Sequence, residues 1–214
     1  MTKECHDAFC RYIDIHQYRS VLALQGELPD SEFFKATNLP IVASDGAANT
    51  LFEMGIKPYV VVGDLDSAKS EYLMDVKITH IPDQNHSDFE KAIAYATEYD
   101  LLPTIVVGVA GGCIDHVTNN IGIFVSHCTV FYSPPTFGYV VQPTQTKDFD
   151  APTNTKISIF GIPDAIVSTN GLKWELSQTH LKFPTISSLS NRTALKNFQI
   201  KVHTGKALAI VYLI

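Results

Sequence analysis

The chain has 214 residues, of which 45% are hydrophobic and 18% charged, with a formal net charge of −6. That apolar content is enough for a packed core and excludes the disordered class, which is poor in apolar residues and rich in charge. No Lys/Arg cluster gives a nucleic acid a basic face. An anionic ligand would have to be met locally, by backbone N–H groups, a few cations and a metal.

The chain opens Met1-Thr2-Lys3-Glu4, without a basic stretch leading into an apolar run, so no signal peptide is expected. No uncharged apolar stretch reaches the ~20 residues of a membrane helix. Cys5, Cys10, Cys113 and Cys128 read as reduced thiols of a cytoplasmic protein. Cys5-His6 with Cys10 could ligate a metal, but no matching second pair follows, and a terminal helix is the simpler reading.

Short apolar runs then follow at residues 21–24, 41–43, 59–62, 78–81, 105–109 and 129–132, mostly β-branched, as buried parallel strands are. Helical segments are expected between several of them, at 30–36, 46–55, 88–99 and 117–127. The second ends at Gly55, suited to a helix C-terminus. The third places Phe89, Ala92, Ile93 and Ala96 on one face, and the fourth does so with Val117, Ile121 and Phe124. This alternation predicts a parallel α/β sheet. Beyond about residue 134 no helical period survives. Strand candidates at 139–141, 156–160, 165–168, 172–176, 198–202 and 207–213 are separated by Gly, Pro, Asn and Ser. Two domains are therefore expected, α/β over residues 1–135 and all-β over 136–214, joined through a Pro/Thr/Gln-rich stretch at 133–146.

The acids fall where an open parallel sheet binds ligands, at the carboxyl ends of its strands. One strand leads to Ser44-Asp45-Gly46, the next to Gly63-Asp64-Leu65-Asp66-Ser67. Another leads to Pro82-Asp83-Gln84-Asn85-His86-Ser87-Asp88, and a fourth to Ala110-Gly111-Gly112-Cys113-Ile114-Asp115-His116. Asp64 and Asp66, two apart in a turn, can reach toward one hard ion such as Mg²⁺ while Leu65 points back into the protein. Alone, such a pair more often caps backbone N–H groups; acids in the equivalent loops tip the balance toward the ion. Ser87-Asp88-Phe89-Glu90 has the form of a capping box. Asp88 and Lys91 are then either a surface ion pair of a well-capped helix or groups facing metal and phosphate. Gly111-Gly112 is either a tight turn or a close backbone approach to phosphate at a helix N-terminus. No phosphate-binding P-loop, dinucleotide fingerprint or nucleophile elbow is present.

Taken in order, Ser44-Asp45-Gly46-Ala47-Ala48-Asn49, Gly63-Asp64-Leu65-Asp66-Ser67, Asp83-Gln84-Asn85-His86-Ser87-Asp88-Phe89-Glu90-Lys91-Ala92 and Gly111-Gly112-Cys113-Ile114-Asp115-His116 resemble the successive motifs of the thiamine pyrophosphokinases. Asn170-Gly171-Leu172-Lys173-Trp174 and Ser190-Asn191 extend the resemblance into the β-rich tail. It implies an N-terminal α/β domain, a C-terminal β-sandwich, and a homodimer with active sites at the subunit interface. It also implies transfer of a pyrophosphoryl group from ATP to the hydroxyl of thiamine with Mg²⁺. By position, Asp64, Asp66 and Asp88 would handle the metal and polyphosphate. Asp45, Gly46, Gln84, Lys91, Gly111, Gly112 and His116 would serve ATP. Gln84, Asn170, Trp174, Ser190 and Asn191 would serve thiamine. Asp88 or Asp115 would accept the hydroxyl proton. For Trp174, the single tryptophan, the residues alone favour a core aromatic of the β domain. The family usually has Arg where this chain has Cys113, and a neutral thiol offers phosphate no fork of donors. That departure is the one feature in favour of a catalytically silent binding protein of the same fold.

Overall fold

In the computed structural model, which describes residues 9–213, the chain divides into two units. Cys5 and His6 lie outside the described residues. The first unit runs over Asp14–Ser133, and the second holds residues 134–213 together with residues 9–13. Those first residues, expected within the α/β domain, belong instead with the β-rich unit, because Phe9 and Tyr12 pack on Phe137 with ring centroids 6.0 and 5.0 Å apart.

The α/β unit is built on parallel strands β1 (Ser20–Ala23), β2 (Ile41–Ser44), β3 (Val60–Gly63), β4 (Lys77–His80), β5 (Thr104–Val107) and β6 (Val130–Ser133), in the order β6-β5-β1-β2-β3-β4. All but β4 are buried along their whole length, which is why they read as unbroken apolar runs. β4 lies at the end of the row and is largely exposed, with Ile78 40% accessible. Helices α1 (Ser31–Thr37), α2 (Asp45–Glu53), α3 (Asp88–Glu98) and α4 (Ile114–His127) complete the unit. Helix α2 stops where Gly55 turns to φ +71°, its N–H returning to the Phe52 carbonyl. Helix α3 has its capping box, with Glu90 accepting the Ser87 N–H and Ser87 accepting the Glu90 N–H. It buries Phe89, Ala92, Ile93 and Ala96 as its spacing requires. Helix α4 is less covered than its pattern implied: Phe124 and Val125 are buried, whereas Val117 and Ile121 are only half-buried and Ile114 is exposed.

The chain walks outward from β1 through β4, then returns to the other side of β1 for β5 and β6. The reversal therefore lies between β1 and β5, where open α/β sheets form their ligand crevice. The loops leaving these two strands touch through backbone: Glu27 donates its N–H to the Ala110 carbonyl at 2.7 Å. A Cβ on Gly26 would stand 2.2 Å from the Gly108 oxygen, so only glycine fits there.

The β-rich unit is organised by two long strands, β9 (Lys156–Asn170) and β12 (Asn197–Tyr212), paired antiparallel along most of their length. Each had been expected as two strands. Gly161-Ile162-Pro163 and His203-Thr204-Gly205 read as turns, but they are a bend and bulges within continuous strands, marked by register shifts around Thr204. The first part of β12 pairs with β8 (Thr146–Asp150) and with the end of β9, which in turn pairs with β10 (Thr179–Lys182). The last part of β12 pairs with β7 (Thr136–Val141) and with the start of β9, which pairs with β11 (Ser187–Arg192). Two four-stranded arrays thus share β9 and β12. They face each other across an aromatic core: Phe149 of β8 stacks on Phe198 at 4.9 Å and meets Tyr139 of β7 edge-on at 5.7 Å. This is the expected β-sandwich.

The stretch at 133–146, expected as a linker, contains β7 and touches the ends of β6 and β8. Strands β8, β10 and β11 escaped sequence reading because their residues are polar, and pairing rather than propensity makes them strands. The run at 172–176 is not a strand; only Leu172 bridges Thr193.

Candidate active site

The acids of the first unit converge because β2 and β3 are neighbours in register, Ser44 opposite Val62. Asp45, the first residue of α2, is completely buried. Its Oδ2 accepts the Ser67 N–H at 3.1 Å, while its Oδ1 is buried with no hydrogen-bond donor. Asp64 and Asp66 leave the turn after β3, and oxygens of Asp45, Asp64 and Asp66 all lie within 4.8 Å of one another. Leu65 between them adopts φ +66°, an uncommon conformation for a leucine, and is half-buried. The turn contact and the clustering of the Asp64/Asp66 pair coexist. Asp64 Oδ1 lies 3.5 Å from the Asp66 N–H, at the outer limit of a turn hydrogen bond, and the carboxylates still gather.

Lys91 is the counter-charge. Its side chain is 4% exposed, with Nζ 3.2 Å from Asp88 Oδ1 and 3.7 Å from Asp64 Oδ2. The Asp88–Lys91 pair is therefore part of the acid cluster rather than a solvated pair on a helix surface. Burial alone would depress the lysine, but the Asp88 hydrogen bond and the charges of Asp88 and Asp64 outweigh it and raise its pKa. The carboxyls are pushed in opposite directions. Burial raises Asp45, reinforced by the Asp88 and Asp64 charges, whereas the Gln84 amide, donating to Asp64 Oδ2 at 2.7 Å, lowers Asp64. A buried carboxylate that keeps one oxygen without a donor and gathers with two further carboxylates fits a hard divalent cation with oxygen ligands. Asp45 is thus a ligand candidate beside Asp64, Asp66 and Asp88, although sequence reasoning had placed it with the nucleotide.

Two supporting residues were not singled out from sequence. Asn49 donates to the Ser67 carbonyl and accepts the Lys69 N–H, each at 2.8 Å, and so clamps the turn that carries Asp64 and Asp66. Its spacing of four from Asp45 on one helix was the available signal. Gln25, after β1, lies against Gly46: a Cβ there would come 2.2 Å from the Gln25 side chain. Gly46 is accordingly buried.

Asp115 and His116 are exposed at the start of α4, and Asp115 accepts the His116 N–H. Neither has a hydrogen bond or ion pair to the acid cluster. Gly111 and Gly112 both take positive φ, +90° and +79°. Gly112 has open space where a side chain would point, with nothing nearer than the Gln25 oxygen at 4.0 Å. Cys113 is exposed at the helix N-terminus and caps no backbone group with its side chain.

The loop that presents Gln84 is held by its neighbours. Asp83 accepts the Asn85 N–H at 2.9 Å and pairs with the His86 ring. The His86 contact holds Asp83 down at about 2, and Asp83 raises His86. The histidine's contribution is complete below its ordinary pKa and is lost as pH rises through the raised value. The aspartate's is complete above its ordinary pKa and is lost as pH falls toward 2. The pair is fully charged between about pH 4 and 6.5. An NMR titration of the His86 ring is expected to give a midpoint above 6.5 that returns to the ordinary range in Asp83→Asn; equal midpoints would count against the pairing.

In the β-rich unit, Trp174 is 54% exposed and is not the core aromatic that its residue type alone suggested. Asn191, 1% exposed, donates to the Trp174 carbonyl at 2.7 Å and accepts its N–H at 3.2 Å. Ser190, at φ +55°, is exposed beside it, and Asn170 ends β9, also exposed.

Fold and site together define a two-unit α/β protein with a carboxylate–lysine cluster at its strand ends and a β-sandwich that displays one tryptophan. Residues 32–131 match the family described as "Thiamin pyrophosphokinase, catalytic domain", and residues 142–208 match "Thiamin pyrophosphokinase, vitamin B1 binding domain". The chain belongs to the thiamin pyrophosphokinase family. It is 28% identical to thiamine pyrophosphokinase 3 of Oryza sativa over 70% of this chain and 69% of that one. It is 25% identical to thiamin pyrophosphokinase 1 of Caenorhabditis elegans, over 79% and 77%. Among solved structures, thiamin pyrophosphokinase from Candida albicans superposes with TM-score 0.80 at 15% identity, covering 95% of this chain and 92% of the other. The Bacillus subtilis enzyme gives 0.76 at 18%, covering 91% and 99%. At these identities the superpositions establish the fold.

Proposed function

We infer that this chain transfers the pyrophosphoryl group of ATP to the hydroxyl of thiamine, releasing AMP and thiamine diphosphate. The observation that carries this reading is the gathering of Asp45, Asp64, Asp66, Asp88 and Lys91 at one point of the catalytic-domain match. Asp64 and Asp66, with Asp45 or Asp88, would hold Mg²⁺. Bound there, the ion neutralises polyphosphate charge and fixes its orientation.

The rest of the reading concerns the chain's own groups. The thiamine oxygen attacks the β-phosphorus, and the bond from that phosphorus to the oxygen it shares with the α-phosphate breaks, leaving AMP. Asp88 is the better placed of the two candidate bases for the hydroxyl proton, because it stands within the cluster and Asp115 does not contact it. Gln84 orients Asp64, and Lys91 limits the repulsion among the acids. Gly112 offers phosphate an unobstructed backbone, which Cys113 cannot supplement with charge, whereas Gly111 is closed in by Glu27. On the thiamine side, Trp174 supplies an exposed ring, with Asn170 and Ser190 as polar partners. Asn191 uses its amide on the Trp174 backbone and acts by holding it.

The family resemblance supports a homodimer, and the exposed Cys113 thiol fits a reducing cytoplasm. No helix among the described residues is long and apolar enough to cross a membrane. A catalytically silent binder is not favoured, since every acid of the cluster is in place. Incubation with ATP and thiamine is expected to give AMP and thiamine diphosphate in equal amounts with Mg²⁺ and neither with a chelator. Thiamine binding without AMP release would favour the silent protein.

A further inference from the structure

We propose that Glu175 is a positioning residue for thiamine, fixing the loop that displays Trp174; this rests on the reading that Trp174 stacks on thiamine. The loop following β9 is short and, beyond the buried Gly171 and Leu172, largely on the surface, and it carries a large aromatic residue that is 54% exposed. A ring this exposed has limited packing to hold it, with the Lys173 ammonium 4.8 Å from its centre. Its orientation therefore depends on its backbone, which two side chains fix. Asn191 of β11 holds Trp174 itself. Glu175 turns back over the preceding residues: Oε1 accepts the Gly171 N–H at 2.7 Å and the Leu172 N–H at 2.9 Å, and Oε2 accepts the Thr169 hydroxyl at 2.6 Å. Thr169 Oγ1 in turn accepts the Leu176 N–H at 2.9 Å, so residues 169–176 form a closed ring of hydrogen bonds around one carboxylate.

A carboxylate is the group for this task, because it accepts through both oxygens and has no donor to set against the two N–H groups. An amide in its place would turn a donor toward one of its present partners. Gly171, at φ +90°, lets the two N–H groups point the same way. A Cβ there would also come within 2.6 Å of the Asn197 oxygen. The loop is therefore ordered before any ligand arrives, and thiamine binding does not have to supply the cost of ordering it.

The test uses the full chain and the fact that Trp174 is its single tryptophan. Three variants, Trp174→Ala, Glu175→Ala and Glu175→Gln, are assayed with Mg²⁺-ATP and compared by steady-state kinetics. Trp174 emission and its quenching by acrylamide and by thiamine are read in the native chain and both Glu175 variants. The expectation is that Glu175→Ala raises the thiamine KM about tenfold, with kcat and the ATP KM within about twofold. Trp174 should become more accessible to acrylamide, and Glu175→Gln should fall between. If Trp174→Ala raises the thiamine KM but neither Glu175 variant does, the positioning role is overturned while the thiamine site stands. If Trp174→Ala leaves the thiamine KM unchanged, the thiamine reading of this loop fails, and the role of Glu175 fails with it. Should Glu175→Ala not fold, Glu175→Gln alone decides between these outcomes.

Discussion

Asp64→Asn is expected to lower pyrophosphoryl transfer by about two to three orders of magnitude, with the unfolding midpoint nearly unchanged. The substitution keeps the shape of the side chain and removes one charge from the point where the Asp45, Asp64 and Asp66 oxygens gather. An amide also places a donor where a cation would need an acceptor. Two effects on stability oppose each other: the Lys91–Asp64 contact at 3.7 Å is lost, and repulsion with Asp45 is relieved. Product formation and thermal melting measured on the same preparation test this. Near-normal turnover in a folded variant would remove Asp64 from the metal site.

Lys91→Met should damage the fold as well as the chemistry. Methionine keeps most of the buried stem and removes only the charged end, so the loss reports on charge rather than on a cavity. Its two carboxylate partners would then face Asp45 with no cation among them. Because Asp88 is 38% exposed, solvent screens part of the penalty, and a loss of about 2–3 kcal/mol is expected, below that for a fully buried pair. For a chain of this length that lowers the midpoint by roughly 5–10 °C. Mg²⁺ should restore more of the midpoint in the variant than it adds to the native protein, because the ion would replace the missing positive charge. A midpoint unchanged by the substitution would mean that the acids are not strained by one another.

The α/β unit was legible because its signals are local. Buried parallel strands announce themselves as apolar runs, the Ser87–Glu90 capping box starts α3 where it was expected, and the register of β2 with β3 carries Asp45 and Asp64 to one edge. The β-rich unit was legible only in part. Its long strands were split at Gly161 and at Gly205, since a bend and a turn have the same composition. Its polar strands, such as Ser187–Arg192, exist only because β9 supplies their partner.

Sequence by itself determined the family, the two-part architecture and the order in which the acids reach the strand ends, all properties of residue type and spacing along the chain. Only the tertiary structure decided which acids meet. It set Asp45 among the ligand candidates by burying one of its oxygens without a donor, and it turned Asp88 toward Lys91. It left Asp115 outside their contacts and lifted Trp174 to the surface on a loop tied by Glu175 and Asn191. These outcomes depend on burial and on contacts between residues far apart in the chain, and neither is written in local spacing.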